Sequence, residues 1–352
     1  MLESQTPRLR QLCSTVARDR ALDPIGAAYP YDNFLIMEGA LPWPKNKFQQ
    51  PDVLPAEVID LYKKVIFRNY PDDWIKAMLC IIALDKVYSQ PGMKRVIYAR
   101  RPEPPFAVFD QQEYLIPEAE LGPLTWALFA RPEELPDFER FRQDTNGVRD
   151  FLVCTDGVVD RACAVAGMKL YSTLRKLPEA QPGGPVRIWK TSHFGGHVYA
   201  ATVITLPDGR LWGFLDGETG PALVRRQGDI QALHTCYRGW TGSPSPFVDV
   251  VERELMMRYG WAWFDYAQAG VVVAEDKEGP VDEHGGRQPR WGEVELRYHS
   301  PDGATHGLCT HRVEVSHVVE TFYASDSPET HAYRQYKLTA CQSAQLAPTR
   351  GR

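Results

Sequence analysis

Arg149 to Leu177 reads RDFLVCTDGVVDRACAVAGMKLYSTLRKL, and the change of period inside it decides the fold. The opening RDFLVCT is a short apolar run that reads as a strand stopping at Cys154. From Asp160 onward the more apolar residues fall at Cys163, Ala166, Gly167, Leu170, Leu174 and Leu177, which is helical spacing. Asp160 is a good N-cap, and Arg175 and Lys176 suit the negative pole at the far end of that helix. VRIWK then supplies the next strand, so the segment predicts an α/β unit.

That second strand delivers the chain into SHFGGHVYA, residues 192–200, with His193 and His197 on either side of two glycines. In an open α/β sheet the loops at the carboxyl ends of parallel strands gather on one edge, where ligands bind. Cys154, Cys163, His193 and His197 are therefore candidates to meet there. Cys-x8-Cys and His-x3-His match no zinc-finger pattern closely, yet each pair is close enough in sequence to share one centre. Gly195 and Gly196 would together cost about 2 kcal/mol in a helix interior, so His-x3-His reads as a loop. Glycine also lets backbone pass close to a bulky ligand. With Asp160 as N-cap, Cys163 falls at the third helical position, where free N–H groups and the positive dipole end favour a thiolate. Spacing alone leaves the plainer alternative open: two core thiols beside two solvated loop histidines.

Upstream, NFLIME at 33–38 reads as a strand running into the Pro-rich ALPWPKNKFQQP. Two helical patterns, AEVIDLYKKVIFRNY and DDWIKAMLCIIALDKVY, precede two strand-like runs, RVIYAR and FAVFD. Cys80 sits in the second helical pattern as a buried, inert thiol. RPEELPDFERFRQDTNGVRD reads as a linker or surface helix. Downstream, AATVITL, the turn PDG and LWGFLD read as a hairpin, followed by a helix entered through Pro221. A helix over FVDVVERELMMRYGWAWF and strands in GEVELRYHS and HRVEVSHVVETFYAS follow. Residues from about Ser343 read as a frayed tail.

The 352 residues suggest two or three domains, and 43% hydrophobic with 24% charged residues is ordinary for a packed protein. A net charge of -5 with scattered Lys and Arg gives no footprint for a phosphate backbone, so nucleic acid is not an expected partner. No stretch approaches the run of about 20 apolar residues that spans a bilayer, and the start lacks a secretory core, which points to the cytoplasm. Seven dispersed cysteines are an odd number in a chain large enough to need no disulfide framework.

CTDGVVDRAC, SHFGGHVYAATVITLPDGRLWG and YRGWTG, in this order and at these separations, resemble the sucrase/ferredoxin-like family. CSTVARDRALDPIGAAYPYDNFLIMEGALPWP is similar to the family's opening segment, and the resemblance covers roughly residues 10–245. It implies an α/β fold with a thioredoxin-like [2Fe-2S] ferredoxin domain at 146–246, preceded by a small α/β domain at 1–145. An α+β region of unassigned role at 247–342 and a flexible tail at 343–352 complete the expected division. The family's cysteine ligands fall on Cys154 and Cys163 and its histidine ligands on His193 and His197. Val159-Asp160 stands where the family frequently has Arg-Asp, which weakens any supporting role at Val159 and leaves the ligands intact.

The implied function is one-electron transfer through the [2Fe-2S] cluster to or from a redox partner protein, open to coupling with proton transfer at the histidines. A structural zinc module is the first alternative, because two Cys and two His also make a tetrahedral site. A thiol oxidoreductase is the second, although eight intervening residues are a poor substitute for Cys-x-x-Cys. No carboxylate pair or Gly-x-Ser-x-Gly elbow is identifiable, so the chain reads as an electron-transfer protein rather than a hydrolase. A rival set, His306, Cys309, His311 and His317, lies in HGLCTHRVEVSH, where the alternation is that of a half-buried strand. Aromatic-rich RYGWAWFDY reads as core packing or a domain contact rather than a ligand stack, and Cys236 reads as core.

Overall fold

The structure is a computed structural model and describes residues 11–66, 76–282 and 285–344. The chain forms two compact units. Of the described residues, one comprises those within Tyr31–Arg101 and Phe109–Pro207, and the other those within Met1–Pro30, Pro102–Val108 and Asp208–Arg352.

A short helix, α1 (Cys13–Asp19), belongs to the second of these units, and the first builds seven strands, β1 (Asn33–Gly39), β2 (Ala77–Ala83), β3 (Met93–Arg100), β4 (Asp110–Pro117), β5 (Arg149–Cys154), β6 (Val186–Thr191) and β7 (Val203–Leu206). Their order is β4-β3-β1-β2-β6-β5-β7. β1 runs parallel to β2 and antiparallel to β3, and β5 runs parallel to β6 and antiparallel to β7. The same local plan thus occurs twice, joined where β2 meets β6 at the single antiparallel pair Ile82 and Thr191.

Two sequence expectations are corrected here. AMLCIIA, within the second expected helix, is the strand β2, and FAVFD is largely loop, with the strand β4 starting at Asp110. β2 is buried along almost its whole length, and a strand buried on both faces is a continuous apolar run that periodicity cannot separate from a buried helix. The helix expected from Ala56 is α2 (Ala56–Leu61), continued by a π turn to Ile66. The end of that pattern and the start of the next lie outside the described residues.

Alternation divides the residues of β1 to β4 between two faces. Leu35, Met37, Leu79, Ile81, Val96, Tyr98, Tyr114 and Ile116 pack with α2 and α3 (Leu121–Phe129) in one apolar core. The opposite parity carries Glu38, Arg95 and Glu113, all buried, into an ionic cluster. Glu113 pairs with Arg95 and with Arg187 of β6 at 2.5 Å, Arg187 pairs with Asp150 of β5 at 2.7 Å, and Trp189 Nε1 donates to Asp150 at 2.7 Å. Buried charges persist only when so paired.

β5 leads into α4 (Arg161–Leu174), the helix expected after Asp160. In the other unit, α5 (Thr219–Arg225) lies between β8 (Arg210–Trp212) and β9 (Tyr237–Trp240), which pair antiparallel. α6 (Pro246–Tyr259) follows, N-capped by Ser245. β10 (Ala267–Glu275), β11 (Trp291–His299), β12 (His306–Phe322) and β13 (Thr330–Ala344) form an antiparallel sheet in that order. The strand reading of HGLCTHRVEVSH holds in β12, with Cys309 buried. His306 and His317 are about 36 Å apart along that strand at about 3.3 Å per residue, so the rival set does not gather at one point. Trp263 and Phe264 are buried, as read for the aromatic run, and burial pushes the Cys236 thiol up to about 11. Ser343 and Ala344 belong to β13, and the rest of the expected tail lies outside the described residues. Among the described residues no helix is long and apolar enough to cross a membrane.

Candidate metal centre

Parallel pairing of β5 with β6 sets Cys154 opposite Thr191, so both strands end together. Cys154 N donates to Thr202 O at 3.1 Å, and Thr155 N to Thr191 O at 3.1 Å, which fixes the exit of β5 from both sides. Asp160 then caps α4: its backbone is extended and its Oδ1 accepts from Ala162 N at 2.7 Å. Cys163 follows in the first turn, as the sequence predicts. α4 can approach β5 because position 167 is glycine, where a Cβ would stand 1.9 Å from the Cys154 carbonyl oxygen.

Gly195 and Gly196 adopt φ of +92° and +80°, so the His193–His197 segment is a loop. A 3-10 turn, His197–Tyr199, follows it. Within this frame the His193 Nδ1 lies 3.7 Å from Cys154 Sγ and 3.6 Å from Cys163 Sγ. Donor atoms of these three residues all lie within 4.8 Å of one another. The His197 ring stands beside them, its centroid 5.3 Å from that of His193. Both cysteines are buried, and the histidines are partly open to solvent.

Burial alone would push the Cys154 thiol up. Hydrogen bonds from Cys163 and His193, the charge of His193 and the Asp156 backbone N–H outweigh it and bring the thiol down to about 5. A thiolate is the form that ligates metal. At Cys80 burial outweighs a hydrogen bond from Thr191 and pushes the thiol up to about 12, so it is the inert thiol expected, although it sits on a strand. The described cysteines form no disulfide.

Sequence reading missed two residues. Asp156 Oδ2 accepts the His193 backbone N–H at 3.1 Å and the Lys47 ammonium at 2.8 Å, and the Lys47 and Asp156 side chains are only 3% and 1% exposed. Asp156 stands in the quoted stretch two residues past Cys154, an available signal. Lys47 lies far away in the Pro-rich loop, with no local pattern to mark it.

An α/β unit with thiol and imidazole donors gathered at the carboxyl ends of a parallel strand pair defines the class: a metal-centre candidate of the ligand-edge type. The family model described as sucrase/ferredoxin-like matches residues 24–239, more than half of the chain. The chain belongs to the sucrase/ferredoxin-like family. No curated protein and no solved structure matches it.

Proposed function

We propose that the chain is a one-electron carrier in which Cys154, Cys163, His193 and His197 hold a [2Fe-2S] cluster. The observation that carries this reading is the convergence of two thiols and His193 within 4.8 Å, with the His197 ring alongside, in a chain of this family. The donor set fits the group: sulfur and imidazole are the ligand types iron–sulfur centres take. A parallel strand pair, β5 and β6, with β7 antiparallel to β5 in the order β6-β5-β7, supports a thioredoxin-like plan for the frame. On this reading residues 146–246 form the ferredoxin domain.

When bound, such a cluster supplies one-electron chemistry, at a higher potential than an all-cysteine cluster. The chain's own residues do the rest. Asp160 and Gly167 set the position of Cys163 against Cys154, and the two glycines carry the histidines past the rim. The partly open histidines face the side from which a redox partner protein approaches.

A second reading, one tetrahedral zinc ion, is favoured by the sulfur–nitrogen separations. Zn–S of about 2.3 Å and Zn–N of about 2.0 Å at the tetrahedral angle place the donors about 3.5 Å apart, close to the 3.6 and 3.7 Å found. A two-iron centre divides its donors between the irons and requires a wider spacing. Anaerobic purification and reconstitution separates the two. Iron and sulfide in equal amount, visible absorption and a paramagnetic signal on reduction are expected, each lost on substitution of any of the four ligands. Colourless protein that takes up zinc alone overturns the electron-carrier reading.

A further inference from the structure

We propose that Lys47 is a positioning residue for the metal centre, the buried cation that lets Asp156 hold the histidine and cysteine segments together. The assignment rests on the reading of the four donors as metal ligands.

Lysine is among the residues least often buried, because its ammonium is strongly hydrated and its long chain loses rotamer freedom. Lys47 is nevertheless buried, in a 3-10 turn (Lys47–Gln49) whose neighbours Trp43 and Phe48 pack on the apolar core of the same unit. Its ammonium lies 2.8 Å from Asp156 Oδ2, the same oxygen that accepts the His193 N–H. The Asp156 carbonyl oxygen accepts from Val159 N and Asp160 N, the turn that leads to the cap of α4, and its N–H reaches the Cys154 sulfur. One residue therefore ties the exits of β5 and β6 to the start of α4, and so touches the segments bearing Cys154, Cys163 and His193.

A carboxylate in that place, unpaired, would be a buried negative charge next to a thiolate and would be driven toward water. Lys47 removes this penalty from outside the quoted segment. Its ion pair is with Asp156, through which it acts. Replacing partners of this kind around metal ligands typically weakens metal retention about 10–100-fold.

The test compares full-length wild type, Lys47→Met, Lys47→Arg and the double variant Lys47→Met/Asp156→Asn. Each is reconstituted anaerobically with ferrous iron and sulfide. Chelator-driven loss of the visible band is timed, and thermal unfolding of the metal-free form is followed in parallel. Lys47→Met is expected to release iron at least about tenfold faster. Lys47→Arg keeps the charge and stays near wild type. The double variant recovers most of the retention, because the asparagine oxygen still accepts the His193 N–H while no buried charge is left unpaired.

Equal release from wild type and Lys47→Met overturns the proposal. So does a double variant that releases as fast as the single one; should Lys47→Met alone not fold, a folded double variant that releases iron at least about tenfold faster than wild type overturns it instead. Should the wild type take up zinc but no iron and sulfide, the electron-carrier reading falls, and the same comparison on zinc release decides Lys47. If it takes up no metal, both fall.

Discussion

Gly167→Ala sets two physical effects against each other, and the structure decides the sign. In an exposed helix interior, alanine is favoured over glycine by about 0.8–1.0 kcal/mol. At position 167 the added Cβ would lie 1.9 Å from the Cys154 carbonyl oxygen and 3.0 Å from its carbon. An ordinary C···O contact is about 3.3 Å, so α4 must retreat by about 1.4 Å. The obstacle is strand backbone, held by the hydrogen bond from Cys154 N to Thr202 O, and it has no rotamer with which to give way. Overpacking of this kind costs about 1–3 kcal/mol, with the upper part of the range appropriate to a backbone clash. Net destabilisation of about 1–2 kcal/mol is expected in urea unfolding of the metal-free protein. Because Cys163 rides one turn earlier on the same helix, metal retention should fall as well. An unfolding free energy that is unchanged, or raised by about 1 kcal/mol as propensity alone dictates, refutes the packing argument.

Two further outcomes follow from the charges. The Cys154 thiol is lowered from 9.0 to about 5, so between these values the unfolded chain binds more protons than the folded one. The stability this contributes is present above the unfolded value and is lost as pH falls toward about 5. Ultraviolet thiolate absorbance of the metal-free protein, compared with Cys154→Ser, should show a midpoint near 5, and a midpoint near 9.0 would discount the role given to His193 and Cys163. Arg187→Met leaves Glu113 with Arg95 alone and deprives Asp150 of its cation, at a cost of about 3–5 kcal/mol in chemical denaturation. A loss below about 1 kcal/mol would mean that water reaches the cluster and screens it.

The part of the site that local chemistry specifies was readable. Asp160 accepts from Ala162 N and Cys163 follows in the first turn because a short acidic side chain before a periodic run has one favourable use. Gly195 and Gly196 mark a loop for the same kind of reason, and their positive φ values agree. β2 was misread because AMLCIIA is apolar at every position, and its neighbours β1 and β6, which make it a strand, lie elsewhere in the sequence. FAVFD looked like a strand from its β-branched and aromatic residues, but pairing with β3 begins only at Asp110. The Lys47–Asp156 pair was invisible for a deeper reason: a lysine in a loop has no periodicity to betray that its end is buried.

That pair, with Glu113–Arg187 and Asp85–Arg175, crosses any cut made just before β5. A truncated protein starting at residue 146 would keep all four proposed donors yet strand Asp156, Arg187 and Arg175 without these opposite charges. Anyone seeking a minimal soluble fragment for spectroscopy should therefore retain the first four strands, since a shorter piece would report on a damaged environment.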